Sequence, residues 1–225
     1  MRLLLIRHGQ TPNNVTGSLD TGYPGAGLTA LGETQAAAVP AALRHEEVAA
    51  IYVSPLVRTH LTAAPLSAAG ELPATVVTGL EEVSAGNLEM LSDPSSVQAY
   101  ASCLRGWMEG DLGRRMPGGT TGHEFMERYS GAIRDIVRAH DPEDSVAVFS
   151  HGAAIRVFSA LSTGMPPMKV RSLAIQNTGM SVLTGGTGRP WALESWHEEP
   201  LGGTALESAA ARDVTGSAPR IPDQG

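Results

Sequence analysis

The chain has 225 residues, with 16 Lys plus Arg against 23 Asp plus Glu, a formal net charge of −7. That length can bury a substantial core, and 42% hydrophobic with 17% charged residues excludes a mainly disordered chain. The acidic balance argues against general nucleic-acid binding, which needs a basic face, but leaves a small anionic ligand in one local pocket open.

Met1 to Ile6 is an apolar run that stops at Arg7-His8, too short for a signal segment or a membrane span. Leu3 to Ile6 therefore reads as a buried strand running into a loop. The glycine-rich stretch Gly17 to Gly27 is a loop, and Thr29 is placed to cap a helix reaching about Arg44. Val48 to Val53 reads as a second strand, Leu56 to Ala69 as a helix and Ala74 to Val77 as a third strand. Residues 92–140 hold two helices separated by Pro117-Gly118-Gly119. The second carries Phe125, Tyr129, Ile133, Ile136 and Val137 on one face. Ser145 to Phe149 is a further buried strand, followed by an apolar helix to about Leu161. Ala174-Ile175 and Met180 to Leu183 read as strands, and Trp191 to Trp196 alternates like an edge strand. From Pro200 the composition turns to Gly, Ala, Ser and Pro.

Strands alternating with helices predict an α/β fold: a three-layer sandwich with a mostly parallel central sheet flanked by helices. Residues 1–199 are expected as one domain, with 92–140 a small helical cap-like insertion and 200–225 a flexible or surface-lying tail. Cys103 is the single cysteine, so no disulfide can form within this chain, and a reducing, cytoplasmic setting is expected. The two tryptophans of the edge strand hint at an interface such as a homodimer contact.

Ligands of such sheets bind beyond the carboxyl ends of the strands. Two strands here end alike, in Ile6-Arg7-His8-Gly9 and Phe149-Ser150-His151-Gly152, and a third ends in Ser54-Pro55-Leu56-Val57-Arg58. A lone strand-end histidine is more often structural than functional. Two of them, with Arg7 and Arg58 at the same edge, make a cationic pocket inside an acidic protein and suit a phosphate, whose oxygens arginine binds bidentately.

Arg7-His8-Gly9-Gln10-Thr11 with Asn14 resembles the signature of the histidine phosphatase superfamily, also called phosphoglycerate mutase-like. The resemblance continues through Leu28-Thr29-Ala30-Leu31-Gly32-Glu33-Thr34-Gln35-Ala36, Ser54-Pro55-Leu56-Val57-Arg58 with Thr62-Ala63, and Leu80-Glu81-Glu82-Val83 leading to Gly86. Ser150-His151-Gly152, Ile155-Arg156 and Asn177 complete it, so it covers roughly residues 2 to 185. The resemblance implies that His8 is a nucleophile forming a phosphohistidine, its other ring nitrogen held by a backbone carbonyl near the following glycine. Arg7, Arg58 and His151 would surround the phosphoryl oxygens, with Asn14 as a neutral donor and amides from Gly152 onward assisting. Glu82, in preference to its neighbour Glu81, would be the general acid and later the base that activates water. No metal or other cofactor is expected.

Three departures bear on substrate choice. Asp20 to Gly27 is longer than the family's usual link, which makes Thr21 and Gly22, with Tyr23, candidate substrate contacts. Met90 stands where glycine is common, and Thr120-Thr121 where Gly-Glu-Ser is common. Residues 92–123 are short and contribute only Arg105, Arg114 and Arg115, whereas the family's mutases carry longer, more basic insertions. The expected activity is therefore hydrolysis of a phosphomonoester, its partner a small phosphorylated metabolite rather than a nucleic acid or membrane. The alternatives are phosphoglycerate mutase-type transfer and a non-catalytic phosphate-binding regulatory module.

Overall fold

A computed structural model describes residues 1–186, 188–208 and 213–216. Its elements, in chain order, are β1 (Arg2–Arg7), α1 (Pro12–Thr16), α2 (Ala30–Ala42), β2 (Val48–Val53), α3 (Val57–Gly70), β3 (Ala74–Val76), α4 (Pro94–Met108), α5 (Gly122–Arg138), β4 (Ser145–Ser150), α6 (Gly152–Ser162), α7 (Pro167–Arg171), β5 (Met180–Gly186) and β6 (Arg189–His197). The strands form one sheet in the order β3-β2-β4-β1-β5-β6. β3, β2, β4 and β1 run parallel; β5 is antiparallel to both β1 and β6.

Alternation along the strands feeds two cores, because successive side chains leave opposite faces of a sheet. Leu3, Leu5, Val146 and Val148 meet Tyr100, Cys103, Trp107, Phe125, Tyr129, Ile133 and Phe158 from α4, α5 and α6. Leu4, Ile6, Ile51, Val53, Ala147 and Phe149 meet Val39, Leu43, Ala63 and Leu66 from α2 and α3. The expected three-layer α/β architecture is the one observed. Segment 92–140, expected as a cap-like insertion, instead supplies much of one flanking layer. Its apolar stripe is wide enough to share the core of β1 and β4, and Thr121 and Glu124 close a capping box that starts α5.

Two other expectations are corrected. Ala174 and Ile175 are not a strand: the Ala174 carbonyl accepts the Trp196 indole N–H, and the Ile175 N–H donates to Gly216. The region after Pro200 is not uniformly a surface tail. Residues 204–206 form a turn whose Leu206 carbonyl accepts from Gln35 on α2. Residues 213–216 enter the interior, with Thr215 buried. Polar anchors from Thr215 and Gly216, with Val214 packed against the core, hold them there. Residues 209–212 and 217–225 of that tail lie outside the described residues.

Candidate active site

The site lies beyond the carboxyl ends of β1, β4 and β2. β1 and β4 pair in parallel with Ile6 opposite Phe149 and Arg7 opposite Ser150. His8 and His151 are therefore each the next residue past a register pair, and their ring centroids sit 5.3 Å apart. The His8 N–H donates to the Ser150 carbonyl, and the Asn177 amide and Thr178 N–H hold the His8 carbonyl. The segment after His8 is seated on α2. A Cβ at Gly32 would come within 2.2 Å of the Gln10 carbonyl, so only glycine permits this approach. Thr29, the cap of α2, bonds both the Gln10 side chain and backbone.

His8 Nδ1 lies 2.8 Å from the Gly9 carbonyl, an acceptor that cannot donate, so Nδ1 carries the proton. Nε2 is left with a lone pair. Burial, reinforced by the Arg58 and Arg7 charges, lowers the His8 pKa well below its ordinary value, which keeps the ring neutral. The same causes, burial first, depress His151. Its Nε2 is 2.7 Å from the Ser54 hydroxyl, which already accepts from the Leu56 N–H. Across the ring, His151 Nδ1 is a buried atom with no partner among the described residues.

The arginines show the same pattern of buried donors without acceptors. Arg7 Nε and Arg58 Nε and Nη1 have no hydrogen-bond partner among the described residues, although both side chains are almost fully buried. Several donors left open around a deprotonated imidazole nitrogen describe a seat for an oxyanion. Gly152 gives Arg7 room, since a Cβ there would lie 2.9 Å from Arg7 Nε. The seat is less cationic than the sequence suggests. Arg58 also donates from Nη2 to the Asp20 carbonyl and stands 3.5 Å from its carboxylate, while Arg7 pairs with Asp213.

Glu82 and Glu81, ambiguous in sequence, are separated by their surroundings. Glu81 pairs with Arg128 at 2.9 Å at a partly exposed position. Glu82 is buried, and its Oε1 accepts from Val83 and Ala154 N–H groups while Oε2 accepts from Ala153. Burial outweighs those three hydrogen bonds and the Arg58 charge, so the Glu82 pKa is raised. The Ala153 and Ala154 amides of α6, expected on the phosphate, instead hold this carboxyl. Tyr100 on the Val83 carbonyl and Arg128 on the Gly79, Glu81 and Glu82 carbonyls fix the segment that carries it.

The other expected contacts are placed as follows. Asn14 caps its own helix with Thr11, receives the Asn177 amide on Oδ1, and turns Nδ2 toward Asp213 at 3.5 Å. Thr21 and Gly22 are occupied by protein partners. Glu89 accepts from both backbone N–H groups and from the Thr21 hydroxyl, and that hydroxyl accepts from Ala85. They bind the long 20–27 loop to the 84–91 segment, a role the sequence reading missed because Glu89 carries no motif. Met90 has φ of 61°, the left-handed backbone that favours glycine, and its side chain is exposed. Ser54, Asp20 and Asp213 were also not anticipated; Ser54 alone had a signal, its position at the end of β2.

A sequence profile of the histidine phosphatase superfamily (branch 1) matches residues 3–199. The chain belongs to this superfamily. A PE-PGRS family protein of Mycobacterium tuberculosis is 34% identical over 93% of the chain, which spans only 38% of that relative's length. A probable phosphoglycerate mutase of Yersinia enterocolitica is 28% identical, covering 95% of this chain and 98% of its own. Among solved structures, a mycobacterial glucosyl-3-phosphoglycerate phosphatase complexed with VO3 superposes with a TM-score of 0.74 at 27% identity, covering 88% of this chain and 99% of its own. The alpha-ribazole phosphatase of Shigella flexneri shares the fold at a TM-score of 0.69 and 24% identity, covering 89% of this chain and 97% of its own.

Proposed function

We propose that this histidine phosphatase is a phosphomonoester hydrolase that acts on a small phosphorylated metabolite through a phosphohistidine on His8. The observation that carries the reading is the bare Nε2 of His8, fixed by the Gly9 carbonyl, together with the buried, unpartnered guanidinium nitrogens of Arg7 and Arg58 and Nδ1 of His151.

In the reaction so assigned, His8 Nε2 attacks phosphorus while the bond to the leaving oxygen breaks. The open guanidinium and imidazole donors stabilise the equatorial oxygens, whose charge is shared out as the phosphoryl group transfers. Glu82, whose carboxyl is shifted toward the protonated form by burial, gives its proton to the departing alkoxide. Oε2, which takes a single N–H at 3.1 Å, is the less engaged oxygen and the better place for that proton. Water then attacks the phosphohistidine, Glu82 takes a proton from it, and inorganic phosphate leaves with His8 restored.

The likeness to the glucosyl-3-phosphoglycerate phosphatase supports hydrolysis; the probable phosphoglycerate mutases among the relatives favour a transferase reading instead. A mutase must hold a second acid group while its phosphohistidine waits. In residues 92–123, Arg115 is engaged by Glu124 and Arg114 packs along Gly106, which favours hydrolysis. Phosphate release from p-nitrophenyl phosphate should be lost to background in His8→Ala; undiminished release would sink the reading. Interconversion of phosphoglycerates faster than phosphate release would install the mutase in its place.

A further inference from the structure

We propose that Asp213 is a positioning residue for Arg7, so that the carboxy-terminal turn 213–216 is a built part of the phosphate seat. The inference rests on the functional reading above and adds to it a residue from far outside the motif region.

A guanidinium has five N–H donors, and those of Arg7 can be followed one by one. Nη1 donates to the Ile175 carbonyl at 2.8 Å and to Asp213 Oδ2. Nη2 donates to Asp213 Oδ1 at 2.7 Å and to the Thr215 hydroxyl at 3.1 Å. Four donors are thereby assigned to protein acceptors. The fifth, Nε, is the one beside Gly152 that has no partner among the described residues. The carboxylate grips the Nη1–Nη2 end of the guanidinium and leaves its Nε edge, beside the residue that follows His151, without a protein acceptor among the described residues. Arg7 thus presents a single oriented donor, not the bidentate fork expected from the sequence.

A carboxylate on a phosphate-binding arginine could instead be a competitor waiting to be displaced. The anchoring of the turn argues for a fixed part. Its Gly216 carbonyl accepts from the Ile175 N–H at 2.9 Å, and its Thr215 carbonyl accepts from Arg156 Nη1 at 3.1 Å. Neither contact involves the oxyanion seat, and Arg156 is itself buried and tied to the Leu173 carbonyl. Asp213 also closes its own turn, accepting from the Thr215 hydroxyl and the Gly216 N–H at 3.4 Å. The Arg7 charge is fully buried, and Asp213 is its one carboxylate ion-pair partner among the described residues.

The test uses the full chain and its Asp213→Ala, Asp213→Asn and Asp213→Glu variants. Orthovanadate affinity is measured alongside kcat and KM for p-nitrophenyl phosphate. Loss of an ionic hydrogen-bonded partner predicts roughly 10- to 100-fold weaker vanadate binding in Asp213→Ala, with a rise in KM larger than the fall in kcat. Asp213→Glu should recover most of the affinity, and Asp213→Asn, which retains one acceptor but no charge, little of it. Unchanged or tighter vanadate binding in Asp213→Ala overturns the proposal, the tighter result identifying a competitor. Equal recovery by Asn and Glu also overturns it, since shape alone would then suffice. Because binding is read separately from turnover, a chain that binds vanadate but releases no phosphate would refute the phosphatase reading while still deciding the role of Asp213.

Discussion

The His8 imidazole and the Glu82 carboxyl are both buried, and burial favours the neutral form of each. For the imidazole, neutrality means a nucleophile; for the carboxyl, a proton to give. Both shifts act toward letting the two forms coexist, whereas the ordinary values of the two groups work against it. The alkaline side of the pH profile belongs to Glu82. As pH rises through its elevated pKa, kcat/KM for an alkyl phosphate should fall, because the alkoxide then leaves without a proton. p-Nitrophenyl phosphate needs no such help, and its kcat/KM should stay level over the same range. In kcat/KM, which reports only the phosphorylation step, Glu82→Gln should lose about 10²- to 10⁴-fold on the alkyl ester, lose its alkaline limb and largely spare the aryl ester. Equal losses on both esters would remove Glu82 from the acid role. The choice of Glu82 over Glu81 was available in the sequence only through the family's spacing. What separates them physically is that Arg128 claims one and the start of α6 claims the other.

At the scale of elements, the seat is made by loops resting on regular structure, and the rest points can be tested. Gly32 lies in the first turn of α2 against Gln10, and Gly32→Ala would drive a methyl group into backbone atoms that cannot move aside. The expected cost is about 1–3 kcal/mol, the usual range for overpacking, read as a lower Tm. A variant as stable as the parent would show that α2 does not brace the nucleophile's loop. The elements that periodicity announces, the buried strands and the amphipathic α5, were legible because their side chains report which face is inside. The five-residue α1 was not, since it is too short for a period and is set by the Thr11–Asn14 capping box. Ala174-Ile175 looked like a strand because both residues are apolar, yet their backbone partners are a Trp196 indole and the Gly216 carbonyl. The turn at Asp213 was invisible for a related reason. One aspartate in a Gly, Ala and Ser-rich stretch has no local pattern, and its partner lies 206 residues away.

Over the whole molecule, the charges of the seat nearly cancel: Arg7 faces Asp213 and Arg58 faces Asp20. On the proposed reading, specificity for a phosphate would come from aimed donors rather than from a surplus of positive charge. Stability should carry the mark of the buried rings. His8 and His151 have folded pKa values well below their unfolded value near 6.5, so below that pH the unfolded chain binds protons that the native state does not. Stability then falls on acidification, by up to about 1.4 kcal/mol per pH unit for each ring, while the raised Glu82 pKa acts in the opposite sense. The drop in Tm between pH 7 and pH 5 should be visibly shallower in a His8→Gln, His151→Gln double variant; an equal slope would place the proton uptake elsewhere. The in-register pairing of β1 with β4 has a final consequence for how this chain can fail. A slip of one residue would turn Leu3 and Leu5 to the face of Leu4 and Ile6, and would pull the two imidazoles out of step by the same movement. The alternation that proofreads the sheet therefore also proofreads the chemistry, and a misthreaded molecule has no route to being a poor enzyme instead of an inert one.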